Sequence, residues 1–161
     1  MVRFFIYCTI VVALYLFKIA NADSAKLSVP RFVSIKSNEV NARTGPHPQS
    51  SIEWIFVKKG EPVEITEEYE HWRLVRDINS DGGWIHASVL SAKRFVIITG
   101  NNTVSLLSAS ANNSKVIAKI APGVRCQLYK ATDSWCKIQC AQYKGWVQKN
   151  LLWGVYANEK L

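Results

Sequence analysis

Acid is scarce in this sequence and unevenly placed. Its 161 residues carry 12 Asp and Glu against 20 Lys and Arg, and beyond residue 92 the only acids are Asp133 and Glu159. Histidine is rarer still, at three. His47 falls in a stretch of turn residues, and a Cys/His nucleophile needs both side chains within hydrogen-bond reach, which no spacing here provides. Cys136-x3-Cys140 has no histidine beside it, and structural zinc takes four ligands. Catalysis, a bound metal and a cofactor are therefore not expected. After residue 22 no stretch repeats apolar residues at helical spacing, which excludes a helical domain.

Long apolar runs are also lacking, with one exception. Arg3 precedes Phe4–Phe17, an apolar run broken only by Thr9, and Lys18-Ile-Ala-Asn-Ala22 follows. A basic start, a short apolar centre and a small-x-small end describe a secretory signal peptide, expected over residues 1–22 with cleavage after Ala22. Such a run reaches about 21 Å as a helix, short of the ~30 Å hydrocarbon core that an uncleaved anchor must cross. The processed chain is expected in the periplasm or outside the cell, with no membrane contact beyond the signal. An exported protein rarely meets nucleic acid, so that partner is not expected.

What the chain does have is a repeat, the first thing to look for in a new sequence. Val57–Asp77 lies over Ile120–Cys140 at a constant offset of 63 without a gap. Gly60 falls on Gly123, Trp72 on Trp135, and Val63, Ile65 and Val75 on Cys126, Leu128 and Ile138. One residue fewer in the next loop sets Gly83-Trp-Ile85 on Gly145-Trp-Val147 and Val89-Leu90 on Leu151-Leu152. Phe95-Val-Ile-Ile98 likewise matches Phe32-Val-Ser-Ile35. Glycine and tryptophan recur because a backbone turn and a large flat packing surface are hard to supply otherwise.

In chain order, residues 23–30 form a polar tail, followed by short β-rich stretches separated by turn chemistry. Arg31–Ile35, Asn38–Arg43, Ile52–Val57, the alternating Val63 and Ile65, His71–Arg76 and Trp84–Leu90 are expected strands. Thr44–Ser51 is an exposed loop, Glu67–Glu70 an acidic hairpin loop, and Ala87-Ser88 a tight turn. Ser91–Arg94 is a minimal linker, so the two halves are placed to touch. Two domains, 31–91 and 95–156, are expected, each near the lower limit for independent folding. The fold class is all-β, two small barrels in tandem.

Val40-Asn-Ala-Arg43, Gly60, Trp72-Arg-Leu-Val75 and Gly83-Trp-Ile85 with Val89-Leu90, and their second-copy counterparts, resemble bacterial Src-homology-3-like domains. The second copy departs where Leu106 or Leu107 stands for Arg43. The resemblance implies a half-open barrel of about five strongly bent antiparallel strands, twice over, and a binding module rather than an enzyme. Such domains in exported bacterial proteins are taken to attach to peptidoglycan, its peptide stems or other proteins, often beside a cell-wall hydrolase domain. No residues are left over here for a hydrolase. The implied ligand is peptidoglycan, with an envelope protein as the alternative partner.

In the family resembled, the strand-initial tryptophan stands at the groove rim. A flat ring with an N–H donor suits a peptide or sugar face. Arg43, Tyr69 and Trp72 are the expected ligand residues of copy one, and Trp135 with Tyr143 those of copy two. Trp84 and Trp146 are expected to be structural, and Trp54 and Trp153 to serve packing only. Export permits a disulfide. A three-residue loop at Thr132–Ser134 sets Cys126 opposite Cys140, with Cys136 free or intermolecular; three buried thiols are the other arrangement. Charge divides as well: eight basic against ten acidic residues over 23–92, and ten against two over 93–161. Either the second half faces an anionic partner, or the halves attract each other, or the charge serves solubility.

Overall fold

A computed structural model describes residues 27–161. The expected signal peptide, residues 1–22, lies outside the described residues. The first unit contains β1 (Arg31–Ile35), β2 (Val40–Arg43), β3 (Ile52–Phe56), β4 (Pro62–Tyr69), β5 (Trp72–Arg76), β6 (Gly82–His86) and β7 (Leu90–Ser91). The second contains β8 (Phe95–Ile98), β9 (Val104–Leu107), β10 (Val116–Ile120), β11 (Arg125–Ala131), β12 (Trp135–Cys140), β13 (Tyr143–Gln148) and β14 (Leu152–Trp153). The sheet orders are β3-β2-β6-β5-β4-β1-β7 and β10-β9-β13-β12-β11-β8-β14. Each position in the second order is the first shifted by seven labels, so the duplication seen in sequence is a duplication of topology. All pairings are antiparallel. The chain is all-β, two half-open barrels in tandem, and among the described residues the helical content is the single turns Ala87–Val89 and Lys149–Leu151.

Alternation along the strands builds two separate cores. Ile35, Val40, Ala42, Phe56, Val63, Ile65, Val75 and Ile85 fill the first. The second has Ile98, Leu106, Cys126, Leu128, Ile138 and Val147 at its centre. The repeat glycines serve the close crossings. A Cβ on Gly83 would lie 2.7 Å from the Arg43 carbonyl oxygen, and one on Gly145 2.6 Å from that of Leu107. Any side chain there would push β6 off β2, or β13 off β9.

The central hairpins differ from expectation in one respect. Glu67, Glu68 and Tyr69 belong to β4 rather than to a loop, and the turn is Glu70-His71, with Tyr69 paired to Trp72. The acidic run tolerates strand geometry because Glu68 is ion-paired to Arg31 on β1 and Arg73 on β5, the flanking strands. A bulge at Thr66 absorbs the extra residue. In the second unit the turn is Asp133-Ser134 and the bulge falls at Tyr129, the position equivalent to Thr66. Shorter turn and bulge cancel, so Cys126 still faces Cys140, and the two form a disulfide. Cys136 is free and has no exposed surface, which removes the intermolecular option left open by the sequence.

The halves meet through aromatic and polar contacts. Phe32 is packed edge-on against Trp153 (5.0 Å) and tilted against Tyr156 (4.7 Å), with the Arg94 guanidinium 5.7 Å from its centre. Tyr156 donates its hydroxyl hydrogen to Glu64 Oε1 at 2.7 Å, and Glu61 is ion-paired to Arg125. Ser34 Oγ donates to the Lys93 carbonyl at 2.7 Å. One acid of the negative half thus meets one base of the positive half across the junction, a small share of the difference in charge.

Candidate ligand-binding site

Each repeat tryptophan opens a strand directly after a two-residue turn, at one end of its barrel. Trp72 pairs with Tyr69 across the turn and with His86 on β6. Its ring meets His86 edge-on at 5.6 Å, and His86 lies 5.9 Å from His71. Tyr69 is 54% exposed. This corner is therefore a small aromatic and imidazole shelf. His86 is held in turn by Ser88, whose Oγ lies 2.7 Å from its Nδ1.

Arg43 sits apart from that shelf. Its cross-strand partner is Trp84 on β6, whose own partner on β5 is Leu74, two residues beyond Trp72. Residues two apart on a strand share a face, so Arg43, Trp84 and Trp72 look outward together without adjoining. The guanidinium is engaged locally: Nη1 donates to the Ser50 carbonyl at 2.7 Å and braces loop 44–51.

The second corner is more enclosed. Trp135 is half-buried, and its backbone N–H donates to Thr132 Oγ1 at 3.2 Å. Opposite stands Gln148, which donates through Nε2 to Asn112 Oδ1 at 2.8 Å and ties β13 to loop 108–115. Trp135, Gln148 and Asn112 together form a partition between two grooves of ≈ 670 and ≈ 440 Å³. Both volumes lie within the roughly 300–1,000 Å³ of small-molecule sites. One groove runs past Asp133, Lys149 and Val155, the other past Asn101, Asn102 and Leu151. Lys149 is buried and donates its Nζ hydrogens to the carbonyls of Ala157 (3.1 Å) and Glu159 (2.7 Å), fixing the C-terminal segment as a wall. At the rim, a 2.7 Å ion pair with Lys160 lowers the pKa of exposed Asp133. The result is an indole plane among side-chain amides, the surface a peptide backbone or a sugar ring requires.

Tyr143 does not join it. The pairs Trp135–Gln148 and Cys140–Tyr143 are the two ends of the β12–β13 ladder, about 17 Å apart at ~3.3 Å per residue. A hairpin that starts at the Asp133-Ser134 end must turn back at the other, so the expected pairing of Trp135 with Tyr143 is corrected to Trp135 with Gln148. The signal that names Gln148 was in the sequence, as the position that follows His86 in the repeat; it depends on the β12–β13 register. Trp54 is also not a packing residue: it is 38% exposed on β3, beside exposed Ile52 and Ile55. Trp153 does pack, on Phe32, while Trp84 and Trp146 are half-buried on the outer face.

The profile of the bacterial SH3 domain matches this sequence twice, over residues 36–92 and 100–154. No curated protein matches it. Among solved structures, NlpC2 and NlpC1 of Trichomonas vaginalis align over 80% of this chain, at 14% and 13% identity and a TM-score of 0.36 each. The alignments span 49% and 47% of those chains, so this chain spans about half the length of each.

Proposed function

Because the chain belongs to the bacterial SH3 domain family, with two copies in tandem, we propose that it is a non-catalytic binding protein of the cell envelope that attaches to peptidoglycan or its peptide stems. It acts in the periplasm or outside the cell, after loss of its signal peptide near Ala22. The observation that carries this reading is the partition formed by Trp135, Gln148 and Asn112 between two grooves. An indole stacks on the face of a sugar or peptide plane while the neighbouring amides exchange hydrogen bonds with its polar edge. The ring is already half-buried in the free chain, so binding orders few side chains and loses little affinity to entropy. The shelf of Tyr69, Trp72, His71 and His86 offers a second, more open contact. Two weak contacts on one chain reinforce each other where a polymer reaches both.

Co-sedimentation with purified sacculi tests the proposal. Trp135→Ala should reduce the bound fraction at least tenfold in apparent affinity, in the range of a central aromatic contact, and adding Trp72→Ala should reduce it further. Binding should survive high salt, since stacking is not screened as exposed charge is. A double variant that sediments as well as the parent sinks the proposal. The second reading is a protein–protein adaptor in the envelope. It is favoured by β3, an edge strand that leaves Ile52, Trp54 and Ile55 exposed, since such an edge is a ready partner for another chain.

A further inference from the structure

The junction between the barrels holds a third cleft, of ≈ 530 Å³, away from both tryptophan corners. Ile35 and Gly60 of the first unit and Phe95 of the second form its apolar floor. Gly60 is needed for this: a Cβ there would lie 3.1 Å from Cε1 of the Phe95 ring, whereas one on the equivalent Gly123 would meet nothing. Around the floor stand Lys36, Lys59 and Lys93, all exposed, and no Asp or Glu among the described residues lines the cleft. None of the three lysines belongs to an ion pair among the described residues. The nearest acid in sequence, Glu61, is ion-paired to Arg125.

The repeat makes the cationic rim informative. In the second unit Thr99 and Pro122 stand where Lys36 and Lys59 stand in the first. The barrel therefore folds without charge at these positions. Three ammonium groups about one small cavity repel one another, and an anion between them relieves that repulsion. The first unit is otherwise the acidic one, so the cluster does not follow from bulk composition.

We propose that this cleft binds a short acidic peptide carrying an aliphatic side chain. The carboxylates meet the lysine rim and the hydrocarbon lies on the half-buried Phe95 ring. The floor decides the class of ligand. A phosphate polymer has no hydrocarbon to cover the Phe95 ring, the part of the floor that is only half-buried. The inference is independent of the tryptophan corners and stands or falls without them.

Fluorescence anisotropy with a labelled pentapeptide of alternating aspartate and leucine is the test. K36Q/K59Q/K93Q should weaken binding about tenfold, the sum of three modest exposed contacts, with the thermal midpoint unchanged because all three side chains are exposed. The charge-matched K115Q/K119Q/K144Q should leave binding as it is. Replacing leucine by serine in the peptide should weaken it again. Equal losses in the two triple variants would reduce the effect to overall charge and overturn the site. Polyphosphate bound through the same lysines as tightly as the peptide would overturn the acidic-peptide assignment.

Discussion

Cys136 shows how much one side chain's surroundings govern its chemistry. It lies in the second core with no exposed surface, and burial pushes its thiol pKa up to about 11. At pH 8 only about one thiol in a thousand is then ionised, and the thiolate is the reacting species. In the chain without residues 1–22, and so without Cys8, iodoacetamide should leave native protein unmodified for hours and label one cysteine at once in guanidinium, as read by intact mass. Rapid native labelling, or a disulfide-linked dimer on a non-reducing gel, would contradict the buried placement. Tyr156 is tuned by similar means: burial first, then its hydrogen bond to Glu64, raises its pKa, so the hydroxyl remains a donor across the junction over the whole physiological range.

Among the elements, the C-terminal segment is the one whose anchoring depends on charge. Burial opposes ionisation of Glu159, yet its bonds to Arg94 and the Tyr156 N–H, with the Arg94 and Lys149 charges, outweigh that and lower its pKa from 4.5. A folded-state pKa below the unfolded one gives stability that is complete above about pH 4.5 and is lost as pH falls through the folded value. E159Q should therefore melt roughly 2–4 °C below the parent at pH 7, and the gap should narrow as pH falls below 4.5. A gap that persists in acid would mean that the carboxylate's charge is not what holds the segment. The same segment walls the groove beside Trp135, so E159Q should also loosen ligand contact at that corner. The hairpins teach a related lesson. Turn length alone is a poor guide to register, because both turns are shorter than the sequence implied and bulges at Thr66 and Tyr129 shift the pairing.

At the scale of the whole molecule, the question is whether the barrels behave as one body. Phe32 lies outside the first core and is enclosed by Trp153, Tyr156 and Arg94 of the linker and second unit. Phe32→Ala should remove about 3–5 kcal/mol of this packing while sparing both cores. Calorimetry should then resolve two transitions where the parent gives one, the first barrel melting earlier because the second alone has the Cys126–Cys140 link. A single transition in the variant would show that the remaining polar contacts suffice for coupling. The coupling bears on function, since the junction cleft exists only while the two units stay docked.

Strand alternation and the recurrence of glycine with tryptophan are local in the chain, and through them the sequence by itself determined two tandem barrels; it offered Cys126–Cys140 beside the alternative of three separate thiols, and the structure chose the bond. Such patterns state which side chains face inward; they do not state which distant loops converge. Only the tertiary structure could place Gln148 and Asn112 beside Trp135, send Tyr143 to the far end of its hairpin, commit Arg43 to Ser50, and gather Lys36, Lys59 and Lys93 around Phe95. Each of those depends on how strands remote in sequence close a barrel and how two closed barrels dock, and that geometry is set by packing rather than by period.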